Sequence, residues 1–395
     1  MSSLHNTRLL LGLSGGIAAY KAAELCRLFV KAGADVRVVM TAGAQAFITP
    51  MTLQALSGER VHTELLDAEA EAAMGHIELA RWADLIVIAP ASASFLARLA
   101  AGEASDLLST VCLARRGPLA VAPAMNQAMW HNPATQANLQ TLRDRGVSIW
   151  GPDSGSQDCG DVGLGRMSEP STLLALAESS FQTGALAGLK LTLTAGPTRE
   201  ALDPVRYLSN HSSGKMGYAL AAAAVDAGAE VTLISGPTAL PVPERLRFVA
   251  VESAQQMLQA CQAHPGDIFV GVAAVADYRP VAAQTQKIKK SQDTLTLSLV
   301  RNPDILAEMA LTSPKPFCVG FAAETQHVAQ YARDKLERKH LDLIFANDAS
   351  ATFGSDDATV LAIWGNGETL LERASKTQLA RQMIALIASR MAQHA

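Results

Sequence analysis

Two segments in the first half of the chain carry side chains suited to acid–base chemistry. Residues 123–126, Pro-Ala-Met-Asn, supply a carboxamide, and residues 154–167 surround the thiol of Cys159 with glycines. Glycine leaves the backbone unrestrained, and a loop of more than about 12 residues in a compact domain is usually functional or disordered. We therefore predict that residues 154–167 form a mobile flap, neither helix nor strand, and that Cys159 takes part in chemistry rather than packing.

A glycine-rich turn at residues 14–17 follows the apolar run at 9–13 and precedes a helical pattern. Backbone N–H groups at a helix N-terminus bind phosphate readily. A dinucleotide site would show G-x-G-x-x-G, but Ser14 stands at the third position, and the second predicted strand ends in Met40 and Thr41 instead of an acidic residue. The turn therefore favours a mononucleotide such as FMN over NAD, and a tight turn without a ligand is the alternative.

Two further polar positions have both a functional and a structural interpretation. Ser92 follows the strand predicted at 85–89, so it is either a second phosphate contact or an ordinary helix N-cap. His76 begins an amphipathic segment, and taken alone it is more simply a structural histidine.

The second half contains a segment that suggests a P-loop but does not satisfy the motif. Residues 210–217 read Asn-His-Ser-Ser-Gly-Lys-Met-Gly, whereas a P-loop needs glycine in place of Ser209 and serine or threonine in place of Met216. The segment still opens a helix with Ser, Gly and Lys. Anion binding and a simple capped helix are both compatible with it.

An acidic residue and a basic run follow in the same half. Asp277 ends an apolar strand at the position where α/β folds bind ligands, and residues 287–290 read Lys-Ile-Lys-Lys. A carboxylate able to hold Mg²⁺ beside a cationic loop suits nucleoside triphosphate chemistry. A solvated basic turn is the alternative for the lysines.

The composition argues against several classes of protein. Hydrophobic residues make up 49% of the 395 positions and aromatic residues only 5%, as expected of parallel sheets covered by helices. The net charge of -4, without long runs of like charge, argues against nucleic-acid or membrane partners. The five cysteines, at 26, 112, 159, 261 and 318, form no C-x-x-C pair, which argues against a disulfide framework or a zinc site and favours a cytoplasmic protein.

Short β-type runs alternate with helical patterns in both halves, which predicts an α/β protein with two doubly wound, Rossmann-like domains. In the first half, strands are predicted at 9–13, 36–40, 85–89, 119–122 and 147–150, and helices at 17–31, 95–101, 133–145 and 171–180. In the second half, strands are predicted at 189–194, 230–234, 247–251, 268–273, 317–321 and 341–345, an edge strand at 359–364, and helices at 216–227, 254–263, 303–310, 328–339 and 377–392. The predicted boundaries are a first domain at 1–182, a linker at 183–189 and a second domain at 190–395.

Taken together, the first-half motifs resemble those of the homo-oligomeric flavin-containing cysteine decarboxylases. The resemblance rests on residues 14–18, 75–79, 90–93, 123–126 and the C-G-x-x-G-x-G-R run that starts at Cys159. It covers roughly the first 180 residues and implies a flavodoxin-like domain that decarboxylates phosphopantothenoylcysteine with FMN. By this resemblance the catalytic residues are His76, Asn126 and Cys159, and the FMN contacts are Ser14, Gly15, Gly16, Ile17, Thr41, Ser92, Ala93 and Met125.

Loss of CO2 from a cysteine carboxylate needs an electron sink, and the sequence shows no sign of a pyridoxal or metal site. In the mechanism that the resemblance implies, the substrate thiol is oxidised at the flavin to a thioaldehyde, whose C=S bond accepts the electrons as CO2 leaves. Cys159 then donates a proton to the enethiol, Asn126 hydrogen-bonds the carboxylate, and His76 positions the carboxylate or moves charge there.

The second-half motifs resemble phosphopantothenate cysteine ligases, in the arrangement of the bacterial bifunctional decarboxylase/ligases of coenzyme A synthesis. The resemblance covers residues 190–395 and rests on residues 210–217, 273–278, 287–290, 302–305 and 321–325. It assigns CTP to Ala273, Asp277, Lys287, Asn302, Pro303, Asp304, Ile305, Phe321, Lys335 and Lys339, and Asp277 is the candidate Mg²⁺ ligand. It assigns activation of 4'-phosphopantothenate through an acyl-cytidylate, and capture of L-cysteine, to Asn210, Arg206 and Lys287.

The resemblance also implies a homo-oligomer, with trimers of the first domain, dimers of the second, and a dodecamer as one assembly that contains both. Two other functions compete with a bifunctional enzyme. An oxidoreductase with two nicotinamide sites is disfavoured by Ser14 and by the missing acidic residue after the second strand. A flavin-binding regulatory subunit is disfavoured by the intact ligase motifs.

Overall fold

The computed structural model describes residues 3–65, 75–157, 160–289, 295–324, 326–348 and 357–394. Contacts divide the chain into two compact units, Met1–Phe181 and Gln182–Ala395, called here the first and second unit. Each unit contains a mainly parallel sheet with helices on both faces, so the predicted α/β class with two doubly wound domains is confirmed. Over these described ranges, no helix is both long and apolar enough to cross a lipid bilayer.

The first unit is built from short strands and connecting helices. The strands are β1 (Arg8–Leu13), β2 (Asp35–Met40), β3 (Val61–His62), β4 (Leu85–Ala91), β5 (Leu119–Pro123), β6 (Ser148–Ile149), β7 (Asp153–Ser156) and β8 (Val162–Arg166). The helices are α1 (Ala19–Lys31), α2 (Ala42–Gln45), α3 (Pro50–Ser57), α4 (His76–Trp82), α5 (Ala93–Ala101), α6 (Leu107–Ala114), α7 (Gln127–His131), α8 (Pro133–Asp144) and α9 (Pro170–Ser179). The sheet order is β3-β2-β1-β4-β5-β6, all parallel, and it reverses between β1 and β4, where doubly wound sheets bind ligands.

The central strands of this sheet are buried on both faces because their side chains alternate between two layers of helices. Leu9 and Leu11 pack in a core with α1, α3 and α9, whereas Leu10 packs in a second core with α5, α6 and α8. All seven residues of β4 are buried. Such strands need an almost uninterrupted apolar run, which is the pattern that predicted them.

Strands β7 and β8 pair as an antiparallel hairpin, so the prediction that residues 154–167 contain no strand is wrong. A Cβ on Gly163 would lie 2.1 Å from Gln127 Oε1, and one on Gly165 would lie 2.2 Å from the Met125 carbonyl oxygen. The glycines therefore permit close approach of the hairpin to the loop after β5. This use of glycine in strands depends on a tertiary neighbour that composition does not reveal.

The second unit contains a larger sheet and two small ones. Its strands are β9 (Lys190–Ala195), β10 (Glu200–Ala201), β11 (Tyr207–Leu208), β12 (Glu230–Ser235), β13 (Arg247–Ala250), β14 (Ile268–Gly271), β15 (Tyr278–Pro280), β16 (Leu299–Arg301), β17 (Phe317–Glu324), β18 (Leu343–Asp348), β19 (Asp357–Trp364) and β20 (Gly367–Ser375). Its helices are α10 (Lys215–Asp226), α11 (Ala254–Ala263), α12 (Ile305–Ala310), α13 (Val328–Arg338) and α14 (Lys376–His394). The main sheet has the order β13-β12-β9-β14-β17-β18-β19-β20, with β19 and β20 antiparallel to their neighbours.

The strand predicted at 359–364 is present as β19, but it is not the edge of the sheet. β20 pairs beyond it across a two-residue turn, with Trp364 opposite Gly367. Most residues of β20 are half-buried or exposed, so its hydrophobicity is too weak to mark it as a strand. The Gly-Asn dipeptide at 365–366, a common hairpin turn, is the signal that marks this pairing.

Candidate active sites

The turn after β1 and the loop after β4 are joined by the buried side chain of Ser14. Its Oγ donates to the Pro90 carbonyl oxygen at 2.9 Å and accepts from the Ser92 N–H at 2.8 Å. The Ser14 N–H also donates to Pro90, at 3.1 Å. The structure thus brings the two predicted phosphate contacts together at the carboxyl ends of neighbouring strands.

Residues 15–17 present free backbone donors just before α1. Within the described part of the chain, the N–H groups of Gly15, Gly16 and Ile17 have no hydrogen-bond acceptor. A Cβ on Gly15 would lie 3.0 Å from the Gly43 carbonyl oxygen, so glycine lets the turn approach α2, which follows β2. Free N–H groups at a helix N-terminus suit a phosphate group.

Thr41 and Ser92 both act as helix N-caps. Thr41 Oγ1 accepts from the Ala44 N–H at 3.2 Å, and Ser92 Oγ accepts from the Phe95 N–H at 3.3 Å. The structural interpretation of Ser92 therefore holds. A hydroxyl that accepts one bond keeps its proton and a second lone pair, so a ligand contact by the same side chain stays a prediction, as does the contact by Ala93.

Asn126 connects the loop after β5 to the hairpin. Its Oδ1 accepts from the Ala128 N–H at 2.8 Å, which caps α7. Its Nδ2 donates to Asp161 Oδ2 at 2.8 Å and to Gln157 Oε1 at 3.2 Å. The carboxamide is thus oriented from both sides, and its donor already binds one carboxylate.

Cys159 lies outside the described residues, in the segment between β7 and β8, but the hairpin is held at described positions. The Met125 N–H donates to the Gly165 carbonyl oxygen at 2.9 Å. The buried Lys21 of α1 contacts the two residues just beyond β8. Its Nζ donates to the Met167 carbonyl oxygen at 3.0 Å and pairs with the Glu169 carboxylate at 2.7 Å. These contacts tie the hairpin to the loop after β5 and to α1.

His76 is the first residue of α4, and its Nδ1 is buried without a hydrogen-bond partner among the described residues. A buried polar atom without a partner carries a desolvation cost and calls for an explanation such as a ligand. No hydrogen bond within the described ranges connects His76 to Ser14, Ser92 or Asn126.

The other four cysteines are all buried. Burial raises the pKa of the Cys26 thiol to about 11 and that of the Cys112 thiol to about 12. Burial likewise raises the pKa of Cys261 and Cys318 to about 12. These thiols serve packing, in agreement with the choice of Cys159 as the chemical one.

In the second unit, a cavity of about 960 Å³ opens at the carboxyl ends of β9, β14 and β17. Its volume lies in the range of small-molecule and cofactor sites. Nine of the ten residues predicted to bind CTP line it: Ala273, Asp277, Asn302, Pro303, Asp304, Ile305, Phe321, Lys335 and Lys339. The structure therefore brings these scattered sequence positions together.

The charges on the cavity wall are mainly positive. The described basic side chains that line it are Lys215, Arg301, Lys335, Lys339 and Lys376, and the carboxylates are Asp277 and Asp304. An excess of cations in a cleft attracts and stabilises a polyphosphate.

Two of these lysines come from α13 and its C-terminal end. Lys335 Nζ donates to the Phe321 carbonyl oxygen at 2.6 Å, and Lys339 Nζ lies 2.7 Å from Asp304 Oδ2. Burial raises the pKa of Asp304, but hydrogen bonds from Lys339 and from the Ala307 N–H outweigh burial and hold this pKa below its usual value. Asp304 thus stays ionised, caps α12 and orients Lys339.

Asp277 is exposed in the cavity wall, and its backbone is held by Asn302. The Asn302 N–H donates to the Asp277 carbonyl oxygen at 2.8 Å, and Asn302 Nδ2 donates to the Ala276 carbonyl oxygen at 2.7 Å. The described residues include no group of three or more acidic, histidine or cysteine side chains placed to hold a metal. Mg²⁺ commonly uses one or two carboxylates together with substrate phosphates, so a site here would depend on Asp277 and a bound nucleotide.

Lys287 and Asn210 lie outside the described lining of this cavity. Lys287 is exposed on the loop after β15. Asn210 lines a neighbouring cavity of about 440 Å³ that shares residues 211–213 with the larger one. Its Nδ2 donates to the Ala274 carbonyl oxygen at 2.7 Å, which places Asn210 against the wall of the larger cavity.

The predicted CTP contacts omit the N-terminus of α10, although residues 212–217 line the cavity. A Cβ on Gly217 would lie 2.5 Å from Ala195 Cβ, so glycine lets this helix end pack closely on β9. The Ser-Ser-Gly-Lys run at the start of the helix is the sequence signal for this helix N-terminus, the kind of position that suits an anion. Arg301 and Lys376 carry no comparable signal, because they reach the cavity from separate segments.

Both units match known protein families. The family described as Flavoprotein matches residues 1–182, and the DNA/pantothenate metabolism flavoprotein C-terminal domain matches residues 186–391. The coenzyme A biosynthesis bifunctional protein CoaBC of Vibrio vulnificus (strain CMCP6) is 54% identical over an alignment of 399 positions. The alignment covers 99% of this chain and 100% of that relative. The protein of the same name from Escherichia coli (strain K12) is 53% identical over 398 residues, or 98% of each chain. The chain belongs to the CoaBC family.

Membership of the CoaBC family confirms the family predicted from the motifs, that of bifunctional enzymes of coenzyme A biosynthesis. The match of the first unit to the Flavoprotein family supports a flavin cofactor. A solved structure of a CoaBC C-terminal domain is 40% identical, covers 53% of this chain and 99% of that chain, and has a TM-score of 0.47.

Proposed function

We propose that the chain catalyses two consecutive steps of coenzyme A biosynthesis. The second unit joins 4'-phosphopantothenate to L-cysteine at the expense of CTP, and the first unit decarboxylates the resulting phosphopantothenoylcysteine to 4'-phosphopantetheine with FMN. The observation that carries this proposal is the cationic cavity in which nine of the ten predicted CTP contacts meet. A chain that makes the substrate of its own decarboxylase explains why both units belong to one protein.

The first unit fits the phosphate of a flavin mononucleotide. The N–H groups at residues 15–17, which have no acceptor among the described residues, form the kind of cradle that binds a phosphate. The buried hydroxyl of Ser14 fixes this turn to the loop after β4, and a Cβ on Gly15 would crowd Gly43. The residues that would hold FMN are Ser14, Gly15, Gly16, Ile17, Thr41, Ser92, Ala93 and Met125. When bound, FMN supplies the oxidation of the substrate thiol that creates an electron sink for decarboxylation.

Three side chains of the first unit act on the substrate. Asn126 binds the carboxylate that leaves as CO2, and its hydrogen bond to the Asp161 carboxylate supports this role. Cys159 gives a proton to the enethiol carbon, because a thiol with an ordinary pKa of about 8.5 is a usable acid. His76, whose buried Nδ1 has no hydrogen-bond partner among the described residues, holds or moves a proton at the carboxylate.

In the second unit, the N-terminus of α10 and the lysines at 335 and 339 bind the triphosphate of CTP. Asp277 would hold Mg²⁺ together with the phosphates. A carboxylate is a poor acyl donor, so the carboxylate of 4'-phosphopantothenate attacks the α-phosphate to form an acyl-cytidylate, and pyrophosphate leaves. The cationic wall neutralises the charge that moves onto the phosphate oxygens.

Amide formation completes the ligation. The amine of cysteine attacks the acyl carbon, and CMP leaves with the bonding electrons. Asn210 stands between the two cavities, beside the carbonyl of Ala274, where it can orient the acyl group. Lys287 stabilises the charge that develops during this attack.

We further propose that the chain is a homo-oligomer, with trimeric first units and dimeric second units. In the first unit, three apolar side chains are largely exposed: Ile17 in the flavin turn (63%), Tyr20 on α1 (64%) and Met51 on α3 (80%). In the second unit, Val281 and Leu299 are 65% and 44% exposed at the small sheet of β15 and β16. Exposed apolar patches of this kind support contacts with further copies, and sedimentation of the full chain tests the assembly.

The deciding experiment incubates the protein with 4'-phosphopantothenate, L-cysteine, CTP and Mg²⁺ and follows the products by mass spectrometry. We expect 4'-phosphopantetheine, CO2, CMP and pyrophosphate in equal amounts. Omitting CTP stops the sequence before the amide, whereas supplied phosphopantothenoylcysteine still loses CO2. A flavin-loaded protein that forms neither amide nor CO2 would refute the proposal.

A further inference from the structure

The turn between β10 and β11 encloses a carboxylate, that of Asp203, whose side chain has no solvent-exposed surface. Its Oδ1 accepts from the N–H groups of Val205 and Arg206 at 2.8 Å each. Its Oδ2 accepts from Arg206 Nε at 3.0 Å and Nη2 at 2.7 Å. These bonds are local, and an Asp at the start of a tight turn commonly makes them.

Two further bonds from this turn reach a distant segment. Asp203 Oδ2 also accepts from the N–H of Ile288 at 3.1 Å, and Arg206 Nη2 donates to the carbonyl oxygen of Ile288 at 2.6 Å. The bonds span 85 and 82 residues of chain, and together they bind both backbone polar groups of one residue. We call Asp203, Arg206 and Ile288 the clamp.

The clamp holds the segment that carries Lys287. Ile288 is half-buried, whereas Lys287 and Lys289 on either side are exposed. The N–H of Gln284 donates to the Leu202 carbonyl oxygen at 2.9 Å, so the same turn holds the loop at a second point. We call residues 284–289 the basic loop.

The clamp also connects this loop to Asn210. Strand β11 runs from the clamp turn toward Asn210, and between them Ser209 Oγ donates to the Thr198 carbonyl oxygen at 2.7 Å. Thr198 Oγ1 in turn accepts from the Ala276 N–H in the wall of the larger cavity, at 3.0 Å. The backbone next to Lys287 and the backbone next to Asn210 are therefore both hydrogen-bonded to the same part of the second unit.

We infer that Asp203 is a positioning residue for amide formation, which acts by holding Lys287 in place when cysteine attacks. An exposed lysine on an untethered loop would have to lose backbone and side-chain freedom in the transition state, and that loss would slow the step it assists. The inference rests on the proposed role of Lys287, and the experiments below separate the two.

The chain offers a matched control for the simpler idea that Asp203 only stabilises the fold. Asp226 is also a buried carboxylate of the second unit, and it pairs with Arg245 at 2.9 Å. It is the last residue of α10, and its described ion-pair partner is Arg245 rather than a residue of the basic loop. Asp203→Asn and Asp226→Asn therefore both neutralise a buried carboxylate, and only the first replaces one of the two oxygens that Asp203 divides between its own turn and the loop.

The first measurement tests the clamp without any enzyme assay. Trypsin cuts after lysine, so the rate of cleavage after Lys289 in the full chain, read by mass spectrometry, reports how often the basic loop opens. We expect Asp203→Asn to raise this rate about 10-fold, the loss expected when a charged hydrogen bond is weakened, and Asp226→Asn to leave it unchanged. Equal rates in the parent and in Asp203→Asn would overturn the clamp.

The second measurement follows pyrophosphate and amide by rapid quench. Asp203→Asn should release pyrophosphate at the parental rate and form amide about 10-fold more slowly, whereas Asp226→Asn should change neither. The double variant Asp203→Asn, Lys287→Gln should be no slower than Lys287→Gln alone, because Asp203 acts through that lysine. Additive losses would overturn the positioning role.

The failures can be told apart. Parental amide formation by Lys287→Gln would refute the proposed role of that lysine, whereas a loss in Lys287→Gln with none in Asp203→Asn would refute only the positioning. If Asp203→Asn does not fold, Ile288→Pro removes the one N–H that the loop gives to Asp203 and keeps the Asp203–Arg206 pair. Ile288→Pro should also be cleaved faster after Lys289, release pyrophosphate at the parental rate and form amide more slowly. Cleavage and amide formation at the parental rates would overturn the inference.

Discussion

The two candidate sites are built from different chemical groups. The flavin turn of the first unit presents backbone N–H groups, is fixed by the hydrogen bonds of Ser14, and has no basic side chain among its predicted contacts. The cavity of the second unit presents five basic side chains from several segments. A phosphate that only anchors a cofactor can be held by fixed backbone dipoles, whereas phosphates that react need cations where the charge moves. The predictions that follow test this contrast.

The largest effect is expected for the proton donor of the first unit. Cys159→Ser should still release CO2 but form 4'-phosphopantetheine about 10²- to 10⁴-fold more slowly, because a hydroxyl is a far weaker acid than a thiol. The enethiol should accumulate, which mass spectrometry of the quenched reaction would show. Cys112→Ala, which removes a thiol of high pKa from the core, is the control with normal turnover. Parental product formation by Cys159→Ser would leave that cysteine no role as a proton donor.

The next largest effect is expected for Lys287, a cation outside the described lining of the cavity that is proposed to serve amide formation. Lys287→Gln keeps most of the side-chain length and should lower amide formation about 10²- to 10³-fold while pyrophosphate release continues. Lys289→Gln, two residues away on the same loop, should change amide formation little. Decarboxylation of supplied phosphopantothenoylcysteine should be normal in both. Equal losses of pyrophosphate and amide in Lys287→Gln would place the lysine in CTP binding instead.

A smaller effect tests whether the first site depends on backbone shape. Gly15→Ala places a Cβ 3.0 Å from the Gly43 carbonyl oxygen, whereas a Cβ on Gly16 meets nothing within 4 Å. We expect Gly15→Ala to weaken FMN binding about 10-fold through this clash and Gly16→Ala to change it little. Titration of FMN into flavin-free protein measures both constants. If the two alanine variants bind FMN equally well, the close approach of the flavin turn to α2 does not shape the site.

The smallest effect concerns the Asp304–Lys339 pair. The pKa of the Asp304 carboxyl is lower in the folded protein than in the unfolded chain, where it is about 3.9. The pair therefore stabilises the fold at pH values above about 3.9, and this stabilisation is lost as the pH falls through the pKa of the folded protein. Asp304 is half-exposed, so solvent screening keeps the contribution below about 1 kcal/mol. Lys339→Met should flatten the acid limb of stability measured by urea unfolding. An unchanged acid limb would show that the pair does not lower this pKa.

The central strands of both sheets could be predicted from sequence because burial on both faces demands long apolar runs, as in β4. The hairpin of β7 and β8 could not, because its glycines are explained only by their contact with the loop after β5. The same holds for the second site. Asn302 lies in a recognisable motif, but Lys376 enters the cavity from the start of the last helix with no local pattern to mark it. The clamp could not be predicted from sequence either, because its hydrogen bonds join residues more than 80 positions apart.

The edges of the two main sheets bear on how the chain avoids aggregation. An edge strand exposes unpaired N–H and C=O groups that can template pairing with another chain. In the first unit both edges, β3 and β6, are only two residues long. In the second unit one edge, β13, is four residues long, and the other, β20, is nine residues long but carries charge at Glu368, Glu372 and Arg373. Short edges in one sheet and a charged edge in the other both discourage intermolecular strand pairing while these slow-forming parallel sheets assemble.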